Sequence, residues 1–221
     1  MSERDKAHFM DRVSREMEQD LPENSLSTEE SLAACCRILA REGHESGLAG
    51  QVSARAAANN AGKIAAPGTF WTLQFGYGFE DATPERMVLV DQDLKPVTTI
   101  GGGRPNPGTR FHIWIYRNRP DVKAIVHTHA PNASALACTG SSLKTIHMDS
   151  AMLHGTAHLT EWPGVPVADD EGRIISAALG EAKTILLANH GLLAAGASVE
   201  EATYLAVFFE RAARMQARRR G

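Results

Sequence analysis

Cysteine is scarce in this sequence, and the few copies present are poorly placed for cross-links. Three cysteines occur among 221 residues, two of them adjacent at Cys35 and Cys36 and the third at Cys138. An odd number without the spacing of zinc or redox motifs argues against a disulfide framework and is typical of a reducing compartment. We therefore expect no disulfides and a cytoplasmic location, with Cys138 packed rather than reactive.

The sequence also lacks a long apolar segment and a strong excess of charge of either sign. No run of about 18 apolar residues occurs, and the charged stretch from Met1 to Asp20 has no apolar core of the kind that a signal peptide needs. The formal net charge is −3 at pH 7, so no basic field directs the chain to nucleic acid or to an anionic membrane. These absences predict a soluble protein that binds neither.

Apolar residues are numerous enough for one substantial core, since they make up 43% of the chain. We predict an N-terminal arm over residues 1–26 and a single domain over residues 27–221. Ser27 and Glu30 have the spacing of a capping box and begin a helix that we expect to end at Gly43.

Strands and helices then alternate along the chain. Ser198 and Glu201 form a second predicted capping box, before a long C-terminal helix. Residues 139–170 show no periodicity and are expected to be irregular. Mostly antiparallel strands are predicted in GQVSAR, GTFWTLQFGYGF and MVLVDQDLKPV, further strands in VKAIVHTH and KTILLANHG, and helices in GTRFHIWIYRNRP, NASALA and EGRIISAALG. This order indicates an α/β fold.

Two histidines one residue apart lie at the end of the apolar run AIVHTHAP. Residues two apart in a strand face the same side, about 6.6 Å apart at the backbone, so His127 and His129 can reach one ion. His190 ends a second apolar run, where we expect Gly191 to adopt a turn geometry closed to other residues. A histidine pair alone is a weak signal, because a histidine near a core is usually structural. The third histidine in a matching context favours a metal site.

Several of these segments together resemble the class II aldolase/adducin family. The resemblance rests on RFHIWIYRNRPDVKAIVHTHAP, LLANHGLLAAGASVEEA and GLAGQVSAR, and it spans roughly Ser27 to Arg218. It implies an α/β/α domain whose mainly antiparallel central sheet is flanked by helices. It also implies a divalent ion, Zn²⁺ or Mn²⁺, on His127, His129 and His190, and a homotetramer with active sites between subunits.

The sequence departs from the sugar-phosphate aldolases of that family at positions that matter for catalysis. Where those enzymes have a catalytic glutamate before RFH, residues 106–108 read Asn-Pro-Gly. The positions that match their phosphate-binding side chains are Leu48, Gln51, Phe75 and Asn106, and leucine and phenylalanine cannot pair with a dianion. We expect Gln51, Phe75 and Asn106 to bind a substrate without phosphate. Aromatic side chains expected in this pocket are Phe70, Trp71, Phe75, Tyr77 and Phe79.

The tyrosine that donates a proton in fuculose-phosphate aldolase also has no counterpart here. Its position falls near Met148, so the candidate proton donors are His147, Asp149 and His154. The family includes a metal-dependent decarboxylase of a hydroxypyridine dicarboxylate, and loss of the glutamate moves this chain toward such chemistry.

The resulting hypothesis is a divalent-metal-dependent C–C lyase acting on a hydroxy- or keto-carboxylic acid. An ion with open coordination positions can stabilise the enolate or phenolate that C–C cleavage leaves. Decarboxylation is favoured over retro-aldol cleavage. The alternatives are a dehydratase, epimerase or oxygenase on the same fold, and a scaffold without activity, as in adducin.

Overall fold

A computed structural model describes residues 25–44, 47–56, 68–97, 103–162, 164–165 and 167–219, with residues 5, 8, 9, 11–13, 15 and 16 near the N-terminus. Most of the predicted N-terminal arm therefore lies outside the described residues. The helices are α1 (Thr28–Arg41), α2 (Arg110–Asn118), α3 (Pro131–Ala137), α4 (Asp169–Leu179) and α5 (Val199–Arg218). The strands are β1 (Gln51–Arg55), β2 (Phe70–Leu73), β3 (Met87–Val90), β4 (Ala124–Thr128), β5 (Ala157–Leu159), β6 (Thr184–Leu187) and β7 (Gly191–Gly196).

The strands form one seven-stranded sheet in the order β3-β2-β1-β4-β7-β6-β5. Every neighbouring pair is antiparallel except β5 and β6, which are parallel. One apolar cluster joins α2 and α4 to one face of the sheet, and a second joins α1, α3 and α5 to the other. The predicted α/β/α arrangement with a mainly antiparallel sheet is confirmed. In the described part of the chain, no helix is long and apolar enough to span a membrane.

The capping signals correctly predicted the start of both helices. Only one of the two capping boxes has both of its hydrogen bonds. At α1, the Ser27 hydroxyl accepts a bond from the Glu30 amide, and the Glu30 carboxylate accepts one from the Ser27 amide at 2.8 Å. At α5, Ser198 accepts from the Glu201 amide, but the Glu201 carboxylate accepts from the Ala197 amide instead of that of Ser198. The second capping box is therefore incomplete, and the Glu201 carboxylate also pairs with Lys183, which precedes β6.

Three further elements were not predicted. The strand expected to end in KTILLANHG is only β6, and the chain turns after it to form β7 between β4 and β6. The stretch expected to be irregular contains a 3₁₀ helix, Met148–Leu153, and the short strand β5. β7 consists of Gly, Leu and Ala without a β-branched residue, so its pairing on both sides, and not its propensity, makes it a strand.

The cysteines are free in the structure. Cys35 and Cys36 are buried within α1, and burial raises the pKa of Cys35 to about 12. Cys138 is exposed, so the expectation that it is packed was wrong. It follows the last residue of α3, where the side chain turns to solvent.

Candidate metal centre

The three predicted metal ligands lie together at one end of the central strands. His127 is on β4, His129 follows that strand, and His190 lies on the turn between β6 and β7. One ring nitrogen from each lies within 4.8 Å of those of the other two. The Nε2 atoms of His127 and His129 are 3.2 Å apart, and the ring of His190 is centred 4.7 Å and 4.6 Å from theirs.

The protonation of these rings suits a cation. The Nδ1–H of His127 donates to the Leu192 carbonyl at 2.8 Å, which leaves the lone pair of Nε2 facing His129. Burial, with the neighbouring His190 and His129, lowers the pKa of His127 well below its usual value, and burial lowers that of His190 to about 4. Tetrahedral Zn–N bonds of about 2.1 Å would separate two ligand nitrogens by about 3.4 Å. The residues present therefore fit a divalent ion.

The backbone that holds His190 differs from the sequence-based expectation. The left-handed turn residue is Asn189, with φ 53°, and the φ of Gly191 is not positive. The expectation that Gly191 supplies the turn was wrong. Glycine is required there because a Cβ atom would lie 2.4 Å from the Thr128 carbonyl oxygen and 3.1 Å from the His129 ring. The requirement for glycine at position 191 therefore comes from the close approach of β7 to β4 and not from a special dihedral angle.

Replacing Gly191 with alanine is expected to displace His129 and lower metal affinity at least about tenfold. The added methyl group meets a strand carbonyl that cannot move, so the imidazole ring must shift. Metal content after dialysis measures the effect. Gly196→Ala is the matched control, because its Cβ would lie 2.6 Å from the Ala202 nitrogen at the far end of the same strand. An equal loss of metal in both variants would contradict the explanation.

Gln51 lies beside the triad and has an unsatisfied amide oxygen. It stands opposite His127 in the β1–β4 register, is 8% exposed, and its Oε1 has no hydrogen-bond partner among the described residues. A Cβ atom on Gly108 would lie 2.7 Å from the Gln51 Nε2. The Gln51 amide therefore occupies the space next to Gly108, the position at which the resemblance led us to look for a catalytic carboxylate.

The structure brings the predicted substrate-binding residues to one small pocket. Asn106 is committed to the loop, since its Nδ2 donates to the Leu48 carbonyl at 2.8 Å and its Oδ1 accepts from the Gly108 amide at 2.9 Å. The pocket is lined by Leu48, Gly50, Gln51, Thr72, Leu73, Gln74, Phe75, Gly76, Tyr77 and Asn106. Gln51 is thus a pocket residue with a buried polar atom that has no hydrogen-bond partner among the described residues.

Only part of the expected aromatic lining is present. Phe75 and Tyr77 line the pocket and are exposed, at 51% and 36%. Phe70 instead stacks on a core tyrosine in the α2 layer, while Phe79 and Trp71 pack in the cluster on the opposite face. Phe70, Trp71 and Phe79 were wrongly expected at the pocket, because the alternation of β2 and the turn that follows it direct them into the two cores.

The candidate proton donors lie elsewhere in the chain. His147 and Asp149 contact one another, with 3.7 Å between Nδ1 and Oδ2, and their side chains are 42% and 65% exposed. They and His154 precede β5, which is the third strand from β4 and so lies about 14 Å away at about 4.8 Å per strand. Within one chain, no described contact joins them to the triad.

Sequence reasoning missed one buried histidine behind the site. His44 is fully buried, and its Nδ1 lies 2.9 Å from the Thr128 hydroxyl, between the two strand histidines in the sequence. Burial lowers its pKa to about 4, so the ring is neutral. The spacing of HTH, which turns Thr128 to the opposite face, is the one signal that pointed there. A second buried histidine, His112, is bonded to the Ser53 hydroxyl at 2.8 Å.

The fold and the triad together define a known class of protein. The family model "Class II Aldolase and Adducin N-terminal domain" matches residues 30–217. The chain belongs to this family.

Relatives within the family catalyse different reactions. The chain is 31% identical over 181 residues to a 5-methylthioribulose-1-phosphate/5-deoxyribulose-1-phosphate aldolase of Escherichia coli O45:K1 (strain S88 / ExPEC), covering 80% of this chain and 77% of the relative. It is 30% identical over 138 residues to the decarboxylase NovR of Streptomyces niveus, covering 62% and 51%. The solved L-fuculose 1-phosphate aldolase of Glaciozyma antarctica PI12 superimposes with a TM-score of 0.75 at 28% identity, over 89% of this chain and 77% of that one.

Proposed function

We propose that this protein is a divalent-metal-dependent C–C lyase whose substrate is a hydroxy- or keto-carboxylic acid without phosphate, and that it catalyses decarboxylation. The observation that carries the proposal is the histidine triad beside a pocket whose described lining residues include neither a carboxylate nor a cation. His127, His129 and His190 would hold Zn²⁺ or Mn²⁺. When bound, such an ion stabilises the negative charge that C–C cleavage leaves on a substrate oxygen.

The pocket chemistry favours an uncharged or singly charged group over a phosphate. Among the described residues that line it there is no lysine, arginine or histidine, and Leu48 and Phe75 are apolar. A phosphate dianion buried there would lack a counter-charge, which is costly. The free amide of Gln51 can instead bond to a hydroxyl or carboxyl oxygen of the substrate, which orients the substrate against the triad.

Decarboxylation suits the missing carboxylate at Gly108. Retro-aldol cleavage needs a base to remove a hydroxyl proton, whereas loss of CO₂ needs only stabilisation of the resulting charge and a proton donor. Gln51 fills the space beside Gly108, and the described residues that line the pocket include no acidic side chain that could take over the role of that base. Retro-aldol cleavage of a phosphorylated ketose is the second candidate, and the similarity to the Escherichia coli aldolase favours it.

Metal-loaded protein is expected to release CO₂ from planar hydroxy- or keto-carboxylates and to leave phosphorylated ketoses intact. A panel of both substrate classes, assayed for CO₂ and for aldehyde products, distinguishes the two reactions. In Gln51→Leu, KM for the acid should rise while metal content stays constant, because only a substrate contact is lost. Efficient cleavage of fuculose 1-phosphate or of 5-methylthioribulose 1-phosphate by the unaltered chain would refute the substrate assignment.

The proposal includes assembly into a homotetramer, in which Asp149 and His154 act on the metal site of a neighbouring subunit. Both side chains are exposed, and no described contact joins them to the triad of their own chain, which supports this arrangement. The apolar run YLAVFF of α5 is weaker support than its sequence suggested. Four of its six residues are buried inside the chain, so Tyr204 and Phe208 are what remains for a partner.

Light scattering at micromolar protein concentration is expected to give the mass of four subunits. Met148 is 81% exposed in the single chain. Because a large apolar side chain is rarely left so exposed, we expect Met148 and its 3₁₀ helix to lie in the interface between subunits. Met148→Glu should therefore shift the assembly toward smaller species. A monomer for the unaltered chain would contradict the proposed arrangement of the site.

A further inference from the structure

A buried carboxylate on α5 caps the short helix α3 from outside. Glu210 is 7% exposed. Its Oε1 accepts a bond from the Asn132 amide at 2.9 Å, and its Oε2 accepts one from the Ala133 amide at 2.8 Å. The Asn132 side chain donates to the same carboxylate. Because the N-cap residue, Ala130, has no side-chain oxygen, Glu210 satisfies the free amides of the first turn.

Helix α3 follows His129 closely in the chain and contacts His190. Its first residue, Pro131, comes two positions after His129. On its side, the Ser134 hydroxyl donates to the His190 carbonyl at 3.1 Å. At its end, the Ala137 carbonyl accepts a bond from the Asn189 amide at 3.2 Å. The turn that bears His190 is therefore fastened to α3 at two points.

We infer that Glu210 is a positioning residue for the metal site. Helix α3 has seven residues, too few to hold its own first turn, so the carboxylate fixes where the helix lies. The bonds from α3 then set the position of His190 relative to His127 and His129. This inference rests on the proposed function, since it concerns the affinity of the triad for a divalent ion.

The test measures release of Zn²⁺ from the metal-loaded protein to a chromogenic pyridylazo chelator. Glu210→Gln presents an NH₂ group where one amide needs an acceptor, and Zn²⁺ release should become about tenfold faster. Ser134→Ala, which removes only the bond to the His190 carbonyl, should change release in the same direction. The double variant should release Zn²⁺ no faster than Glu210→Gln alone, because both side chains act through α3.

Gln216→Ala is the matched control on the same helix. Gln216 is 4% exposed and bonds to the backbone of Ser142 and Lys144, away from α3. It should lower thermal stability and leave Zn²⁺ release within about twofold of the unaltered chain. Should Glu210→Gln fail to fold, Ser134→Ala still tests the link from α3 to His190, without which Glu210 cannot position the site.

The outcomes separate this inference from the proposed function. Unaltered protein that retains no Zn²⁺ would overturn both. Two results would overturn the positioning role alone, provided that the unaltered protein retains Zn²⁺. One is an unchanged rate of Zn²⁺ release in Ser134→Ala and in Glu210→Gln, where the latter folds. The other is an equal increase of the release rate in Gln216→Ala.

Discussion

Replacing His129 with alanine is expected to abolish metal retention and, with it, turnover, while the fold persists. The reason is that one of three nitrogen ligands is lost. Structural zinc sites contribute about 10–16 kcal/mol over four ligands, so one ligand is worth about 3 kcal/mol, or about 10²-fold in affinity. His129 lies beyond the end of β4 and is partly exposed, so its removal leaves no large cavity in the core.

Elemental analysis after gel filtration measures the result, with His190→Ala as a second ligand variant. His158→Ala is the control, because His158 is a partly buried histidine on the edge strand β5, away from the triad. It should keep its metal. Full metal occupancy in both ligand variants would show that the ion, if present, binds elsewhere.

The positions of the three histidines could be predicted from the sequence, because each lies at the end of an apolar run and these runs end on the same side of the molecule. The backbone contacts that hold the histidines in place could not be predicted. The left-handed conformation of Asn189 and the close packing of Gly191 on Thr128 arise from the pairing of β7 with β4, which connects residues far apart in the chain. No local pattern in GLLAAG favours a strand.

In the substrate pocket, too, the sequence predicted some features and could not predict others. The sequence indicated that a carboxylate is missing at Gly108, and it placed Gln51 near the site. It could not show that the Gln51 amide fills the resulting space, because this contact depends on how β1 and the start of α2 approach one another. Aromatic composition alone overestimated the lining, since two nearby phenylalanines serve the core.

Replacing Asp149 with asparagine is expected to slow product formation by about 10²-fold while metal content stays unchanged. Asparagine keeps the shape of the side chain and removes its capacity to transfer a proton. His154→Ala should show a loss of at least about tenfold if that imidazole shares the role. Single-turnover rates separate this chemical effect from substrate binding.

Mixed assemblies test whether the donor acts across a subunit boundary. Asp149→Asn and His129→Ala chains are unfolded, mixed and refolded together. The first variant has an intact triad and the second an intact donor. Active sites therefore reappear only if the triad and the donor of one site come from different chains. Random mixing would restore about a quarter of the sites. No recovery in the mixture, with active protein recovered from the unaltered chain treated alike, would place the donor in the same subunit or exclude it.

The two outer edges of the sheet limit how copies of this chain can associate. Beyond β3 the chain folds back along the strand, with the Val97 amide bonded to the Leu89 carbonyl at 2.8 Å and Pro96 bridged to Val90. Proline offers no amide to an incoming strand. At the other edge, β5 spans only three residues. Among the described residues, neither edge presents a long row of open backbone groups, so this part of the fold resists strand addition and fibrous aggregation, and association is left to helices and loops.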